Sequence, residues 1–198
     1  GGSFEYLADV QWPEKGWPMV VAQTRDQRTM VVVEVNPDTG AVLERHRVTD
    51  DHWVDLIPGS PLQHDGSLLT VESQNGAYRL MRDGVALSPD GMQVQSIVGA
   101  DSDSVVVRAW LDPLDIEVMR ITDDGTVERL SGGGGLHTAV IGGGVVVVSV
   151  SDLDGLTTTV YPGEHQVESK AEEPMVRPVP TFHVVGQRAL RTAVLLPA

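Results

Sequence analysis

The chain contains short apolar runs in which apolar and polar residues alternate with a period of two. The runs are rich in valine, isoleucine and threonine, and dipeptides that favour tight turns, such as Asp65-Gly66, Asn75-Gly76 and Asp83-Gly84, separate them. No segment of ten or more residues has the period of 3.6 that an amphipathic helix requires. The pattern therefore predicts an all-β protein built from hairpins.

The clearest predicted hairpin joins a strand at residues 29–35 to a returning strand at 41–48 through a turn at 36–40. The segment "EVMRITDDGTVERL" repeats the design around Asp123-Asp124-Gly125, and "RLMRDGVALSP" repeats it around Asp83-Gly84. Short strands joined by turns of this kind predict antiparallel sheets in which consecutive strands are neighbours.

The hairpins belong to a repeat. Similar first strands begin at Tyr6, His52, Met92 and Leu136, and about three further strands follow each of them. A period of about 40–45 residues with four strands per unit is typical of the blades of a β-propeller. A single blade has two apolar faces, so it buries them only by stacking on its neighbours.

The repeat divides the chain into a propeller region and a different tail. We predict four consecutive blades over residues 4–173, a proline-rich linker at 174–180 and the first strands of a truncated second domain at 181–198. The predicted blades span residues 4–50, 51–89, 90–131 and 132–173. The fold class is thus all-β, a partial propeller with a short terminal β-hairpin. The sequence leaves open whether the ring closes at four blades or is an arc of a larger ring.

Composition narrows the range of partners. The formal net charge is −14, which disfavours nucleic acids and anionic membrane surfaces as partners. No apolar run approaches the length of a membrane-spanning helix. The chain has no cysteine, which fits either side of a membrane, and Gly1-Gly2-Ser3 begins without the features of a signal peptide. The compartment stays open, with the cytoplasm favoured.

Four segments together resemble a known family. They are "YLADVQW", "TRDQRTMVVVEVNPDTG", "DDHWVDLIPGSPLQHDGSLLTVESQNGAYRLM" and "LRTAVLLPA", and their order along nearly the whole chain is similar to the later half of the propeller of dipeptidyl peptidase IV-like proteins. These belong to the prolyl-oligopeptidase superfamily of serine peptidases. The resemblance implies a longer parent enzyme in which a propeller covers the active site of an α/β-hydrolase domain and limits entry to peptides and unfolded ends. It also implies that this enzyme removes dipeptides from an amino terminus, favouring proline or alanine as the second residue.

The resemblance also implies that little of the catalytic apparatus lies in this chain. The family's pair of amino-group-binding glutamates belongs to a segment upstream of the matched region, so Glu172-Glu173 does not inherit that role. The G-x-S-x-G nucleophile elbow would lie beyond Ala198. The family places an arginine just after the aromatic residue that Trp53 resembles, whereas here Val54 follows.

The residues themselves give no strong site. No serine lies in a G-x-S-x-G motif, and the six histidines lack the close spacing of a metal-ligand set. Two acidic segments could be read as calcium loops: Asp101-Ser102-Asp103 and residues 152–155 ("DLDG"). We interpret them as turns, because the glutamate that an EF-hand loop has at its twelfth position is absent. The glycine runs at 131–135 and 141–145 predict a connection between blades and a hairpin turn. We therefore predict no catalytic residue, metal or cofactor in this segment.

The four tryptophans form most of the aromatic mass. Trp12 and Trp53 lie near predicted blade starts and are interpreted as core or inter-blade packing. Trp110 ends a strand before a longer loop and is the best candidate for a binding surface.

Two functions of different classes remain. The first is a non-catalytic propeller fragment of a serine dipeptidyl peptidase. The fragment gates access of substrate to the hydrolase domain of the same enzyme, and only the intact enzyme binds the peptide substrate. A less favoured form of this hypothesis has an acylaminoacyl peptidase or an oligopeptidase relative as the parent enzyme. The second is a free-standing propeller that binds peptides or glycans. Unpaired strand edges also predict homo-oligomers or strand exchange.

Overall fold

The structure is a computed structural model that describes residues 4–13, 15–111, 116–172 and 175–196. Within these ranges it contains eighteen β-strands and no helix. The strands are β1 Phe4–Gln11, β2 Met19–Thr24, β3 Thr29–Val35, β4 Val42–Thr49, β5 Leu62–His64, β6 Ser67–Gln74, β7 Ala77–Arg82, β8 Val85–Ala86, β9 Gln93–Asp101, β10 Ser104–Trp110, β11 Glu117–Thr122, β12 Val127–Arg129, β13 Leu136–Gly142, β14 Val145–Ser151, β15 Leu156–Tyr161, β16 His165–Val167, β17 Thr181–Val185 and β18 Leu190–Val194.

Sixteen of these strands form four antiparallel sheets of four strands each. In every sheet, consecutive strands are neighbours, as in a propeller blade. We call the sheets blade 1 (β1–β4), blade 2 (β5–β8), blade 3 (β9–β12) and blade 4 (β13–β16). Strands β17 and β18 form a separate two-stranded hairpin. The all-β, partial-propeller prediction is confirmed.

The predicted turn chemistry is present in the hairpins of blade 2. Asp65, Asn75 and Asp83 all have positive φ angles, and the glycine that follows each of them does too. Two successive residues with positive φ define a type I′ turn, whose twist matches that of the strands it joins. Asp83 also accepts a hydrogen bond from the Leu68 N–H (2.8 Å), and this contact lowers the pKa of the aspartate.

The first strand of blade 2 is not where the sequence predicted it. No strand begins at His52, and the segment before β5 is a connection that reaches Pro61. Its prolines have no N–H to give to a ladder, and Gly59 has a φ angle of +77°. The short strand β5 (Leu62–His64) takes the first position instead.

Each pair of neighbouring blades shares a layer of buried apolar side chains. Between blades 1 and 2 the layer contains Met19, Val21, Met30, Val32, Val54 and Leu68. Between blades 2 and 3 it contains Leu69, Val71, Leu80, Met92, Val94, Ile97, Val105, Val107, Ala109, Met119 and Ile121. Between blades 3 and 4 it contains Val106, Val118, Leu130, Val146 and Val148. The core is thus divided among the junctions between sheets, as the repeat predicted.

The terminal hairpin is almost entirely exposed along both strands. Arg177 lies 3.5 Å from Asp154, a contact between the segment before the hairpin and blade 4. The assignment of residues 174–180 to a linker and 181–198 to a second domain stays a prediction, and Glu173-Pro174 and Pro197-Ala198 lie outside the described residues. Among the described residues, no helix is long and apolar enough to cross a membrane.

Candidate functional site

A cavity of about 270 Å³ opens at the junction of blades 1 and 2. Its apolar lining includes Met30 and Val71, which are buried. We call it the Trp53 cavity because the indole of Trp53, 62% exposed, lines it. An exposed aromatic ring beside a concave surface is a common element of ligand sites.

The connection between the blades holds Trp53 in place. The Asp50 carboxylate accepts hydrogen bonds from the backbone N–H groups of His52 (2.7 Å) and Trp53 (3.1 Å). These two bonds lower the pKa of Asp50, because they favour the ionised carboxylate. The next residue, Val54, is pinned to blade 1, since its carbonyl accepts a bond from the buried Gln23 amide (2.8 Å) and its N–H bonds to Gln27.

Tyr78 and Asp55 form the second polar group in the lining. The phenol of Tyr78 donates a hydrogen bond to Oδ2 of Asp55. The backbone N–H of Tyr78 donates to Oε1 of Gln93 (2.9 Å), which belongs to blade 3. The connection before β5 and blade 3 therefore both help to position Tyr78 of blade 2.

Glu72 is the third acidic group in the lining, and it is partly buried. Nε2 of His46 in blade 1 lies 2.9 Å from Oε1 of Glu72, and the Thr70 hydroxyl donates to the same oxygen (2.5 Å). Partial burial opposes ionisation of Glu72, but the bonds to His46 and Thr70 outweigh it and hold the pKa below its ordinary value. A polar contact thus crosses the junction between two sheets whose packing is otherwise mainly apolar.

The Glu72 contact makes a pH-dependent contribution to stability. We expect Glu72→Gln to lower the free energy of unfolding by about 1 kcal/mol at neutral pH. A lowered folded-state pKa means that the contribution is complete above the ordinary glutamate pKa of about 4.3 and is lost as the pH falls through the folded-state value. The measurement is urea unfolding of both proteins from pH 7 to pH 3.

Glu128→Gln is the matched control for that experiment. Glu128 pairs with Arg120 at 2.8 Å on an exposed surface, where ion pairs add little. We expect its effect on unfolding to be close to zero at every pH. A Glu72→Gln effect that is as large at pH 3 as at pH 7 would contradict the role given to the His46–Glu72 contact.

The chemistry offered by the Trp53 cavity is binding of a cation or a hydrogen-bond donor. Asp50, Asp55 and Glu72 place three carboxylates in the lining, and Trp53 supplies a ring face that attracts cations. Ser73 also lines the cavity and lies within strand β6. Nothing in the described lining is a basic side chain.

A serine and a histidine that contact each other lie outside the Trp53 cavity. The Ser131 hydroxyl is 2.7 Å from Nδ1 of His137 and also accepts a hydrogen bond from the Val118 N–H (2.8 Å). His137 is fully buried, and its Nε2 has no hydrogen-bond partner among the described residues. This pair joins the connection after blade 3 to blade 4, with a fully buried histidine and a partly buried serine.

The other sequence candidates lie in turns. Asp152 accepts hydrogen bonds from the N–H groups of Asp154 (2.8 Å) and Gly155 (3.0 Å), as an aspartate does in an Asx turn. Asp101 accepts a bond from the Ser104 hydroxyl (2.6 Å) at the turn between β9 and β10. In the described ranges, no group of three histidine or carboxylate side chains is arranged to hold a metal ion.

The tryptophan interpretation was wrong for two residues. Trp12 is 75% exposed and Trp53 is 62% exposed, so neither is part of a core or an inter-blade layer. Trp12 comes just after the last residue of β1, and Trp53 sits in the connection that replaces the expected strand. Trp110 is half-buried at the end of β10, and residues 112–115 of the loop after it lie outside the described ranges.

The sequence did not indicate the polar residues of the Trp53 cavity. They come from β4, β6, β7 and the connection before β5, so no local spacing links them. The only local signal is an aspartate two to three residues before His52 and Trp53, which is typical of a capped turn.

The comparisons with known proteins establish the fold. No protein-family model matches the sequence, and no curated protein matches it. Among solved structures, Porphyromonas gingivalis dipeptidyl peptidase 4 is similar over 96% of this chain, with a TM-score of 0.75 and 16% identity. Puromycin hydrolase is similar over 89% of the chain, with a TM-score of 0.60 and 11% identity.

The chain therefore has the fold of the propeller region of dipeptidyl peptidase IV-like proteins, and the resemblance noted in the sequence is confirmed at that level. It spans only 31% of the length of each of these two proteins.

Proposed function

We propose that this chain is a non-catalytic part of the propeller of a serine-type dipeptidyl peptidase that releases amino-terminal dipeptides. Its four blades cover the active site of a hydrolase domain in the same parent and restrict entry to peptides. The domain that begins within residues 181–198 is that hydrolase.

One observation carries the proposal. The likeness to dipeptidyl peptidase 4 extends over 96% of this chain, so it includes the order of all four blades and is not confined to one sheet. The exposed β17–β18 hairpin agrees with a segment that belongs to another domain, because Phe182 and Val184 expose apolar surface that an isolated hairpin does not bury.

The experiment has two parts. Translating the reading frame on both sides of this chain is expected to give further blades before Gly1 and a hydrolase with a G-x-S-x-G motif after Ala198. Incubating the purified 198-residue chain with an Xaa-Pro chromogenic substrate is expected to give no turnover. Stop codons at both edges would contradict the proposal, and so would serine-dependent cleavage by the chain alone.

A second candidate function is a free-standing propeller that binds peptides or glycans. The Trp53 cavity favours it, because an exposed indole beside carboxylates suits either the free amino group of a peptide or the face of a sugar ring. It shares the fold with the first candidate and differs in needing no other domain.

Ligand binding at this cavity is tested by tryptophan fluorescence. If the second candidate is right, a dipeptide with a free amino terminus, or a neutral oligosaccharide, causes a saturable change in emission that Trp53→Ala abolishes. Trp12→Ala is the matched control, since Trp12 is also largely exposed but does not line the cavity. No saturable change with either ligand would rule out this candidate.

A further inference from the structure

Arg108 differs from every other arginine in the strands of the four blades. Among the described residues it has no ion pair and no hydrogen bond, although it is partly buried and its Nε is shielded from solvent. A partly desolvated charge without a counter-charge is costly, so this guanidinium indicates an anionic partner. The other strand arginines of the blades each pair with a carboxylate: Arg45 with Glu34, Arg47 with Glu44, Arg79 with Asp90, Arg82 with Asp123, Arg120 with Glu128 and Arg129 with Glu117.

Arg108 lies on the face of blade 3 that packs against blade 4. It comes two residues after Val106 in β10, and its cross-strand partner in β11 is Val118. Both valines belong to the buried layer between blades 3 and 4. Because alternate residues of a strand point to the same face, Arg108 shares the face of these two valines.

A second donor without a partner lies at the same junction. His137 of β13 is fully buried, and its Nε2 has no hydrogen-bond partner among the described residues. Its Nδ1 lies 2.7 Å from the Ser131 hydroxyl, whose oxygen accepts a bond from the N–H of Val118. We assign the hydroxyl as the donor to Nδ1, because the serine oxygen already serves as an acceptor, and the ring proton is then on Nε2.

Both donors lie near the same end of the two sheets. Arg108 is two residues before Trp110, the last residue of β10, and His137 is the second residue of β13. The bond from Val118 to Ser131 and the contact of Ser131 with His137 bring these two strand ends together. The Arg108 and Trp110 side chains both keep partial exposure there, so a small ligand has a route to the junction.

We propose that Arg108 and His137 form a binding site for a carboxylate at the junction of blades 3 and 4. A guanidinium presents two parallel N–H groups that match the two oxygens of a carboxylate, and the imidazole Nε2–H is a further donor. A singly charged anion suits the site better than a phosphate, because the chain has a net charge of −14. The buried carboxylate of Glu117 does not neutralise Arg108, since it pairs with Arg129 (3.1 Å).

The site is separate from the Trp53 cavity and does not depend on the proposed function. Its ligand is defined by its carboxylate, which either a small organic acid or the carboxyl terminus of a peptide supplies. The experiment therefore uses three probes: acetate, N-acetyl-alanyl-proline with a free carboxylate, and the amide of the same peptide. Ionic strength is kept constant with sodium fluoride.

The first measurement is an NMR titration of the 198-residue chain, followed at the His137 Nε2–H and Arg108 Nε–H signals. We expect acetate to shift both signals saturably and the peptide amide to shift neither. A saturable shift with the peptide acid as well would extend the ligand class to peptide termini, and a shift with acetate alone would restrict it to small acids. No saturable shift with either carboxylate would overturn the proposal, because water would then suffice for the two donors.

Arg108→Met gives an independent test through stability. Methionine keeps an apolar stem and removes the unneutralised charge, so in carboxylate-free buffer we expect the midpoint of urea unfolding to rise by about 0.5 M. The same variant is expected to abolish the acetate-induced shift at His137. A fall in the midpoint would overturn the proposal, because it would show that the chain already neutralises this guanidinium.

Arg120→Met is the matched control. Arg120 lies in the neighbouring strand of the same blade, and it pairs with Glu128 at 2.8 Å. We expect this variant to lower the midpoint or leave it unchanged, and to keep the acetate-induced shift at His137. Loss of that shift in Arg120→Met would contradict the assignment of the site to Arg108.

Discussion

Replacing Gly59 by alanine is expected to destabilise the protein by about 3 kcal/mol or more. A Cβ at this position would lie 2.0 Å from the carbonyl oxygen of Ile97, a backbone atom of strand β9 that cannot move without disturbing blade 3. The backbone conformation adds to the cost, since Gly59 has a φ angle of +77°. The N–H of Ile97 also donates a hydrogen bond to the Pro58 carbonyl (3.0 Å), so the clash separates two segments that are bonded to each other.

Gly66→Ala separates the steric clash from the strain of the positive φ angle. Gly66 has a similar φ angle of +83°, but a Cβ there would have no neighbour within 4 Å. Its effect is therefore limited to the backbone strain of about 1–2 kcal/mol. Urea unfolding monitored by circular dichroism gives both values. Equal losses for the two variants would contradict the close approach of the Pro58–Gly59 segment to β9.

Replacing Gly99 by alanine is expected to cost about 1–3 kcal/mol. Gly99 lies in β9 of blade 3, and a Cβ there would come within 2.4 Å of Cγ2 of Ile141 in β13 of blade 4. Gly99 is not among the glycines with a positive φ angle, so backbone strain does not contribute. Cγ2 is attached directly to the Cβ of a β-branched residue, whose χ1 angle is stiff, so the methyl group has little freedom to move aside.

Gly134→Ala is the control for this substitution. Gly134 lies in the connection between blades 3 and 4, its φ angle is not in the left-handed region, and a Cβ there would meet nothing within 4 Å. We expect its effect to be within about 0.5 kcal/mol of zero. A similar loss at both glycines in chemical denaturation would show that contact with Ile141 is not the cause.

The hairpins could be predicted from the sequence because their determinants are local. An aspartate or asparagine followed by glycine fixes a type I′ turn within two residues, and the β-branched runs on either side fix the strands. The turns at Asn75-Gly76 and Asp83-Gly84 are therefore where the sequence placed them. The repeat of about 40–45 residues then gave the number of blades, because each blade is a consecutive meander.

The first strand of blade 2 was mispredicted because its pattern is ambiguous. The segment that begins at His52 is rich in the apolar, aromatic and β-branched residues that favour a strand. One local and one tertiary interaction prevent pairing there: Asp50 caps the start, and Val54 is bonded to blade 1 by Gln23 and Gln27. These contacts also explain why the interpretation of Trp53 as a packed residue was wrong, because the connection that they fix holds Trp53 at the surface.

The cavity was missed because its residues converge only when two blades stack. His46 and Glu72 are far apart in sequence and belong to different sheets, yet their side chains lie 2.9 Å apart. Sequence periodicity gives the face on which each side chain lies, but not the offset of one sheet against the next. That offset depends on close contacts such as those at Gly59 and Gly99.

The central claim is that neighbouring sheets pack directly on one another, and a double-mutant cycle at Gly99 and Ile141 tests it most directly. Ile141→Ala removes the methyl group that an alanine at position 99 would strike. We expect Gly99→Ala to cost about 1–3 kcal/mol in the wild type and to be neutral or slightly stabilising beside Ile141→Ala, a coupling of the same size. Effects that add to within about 0.5 kcal/mol would show that blades 3 and 4 do not meet at these residues.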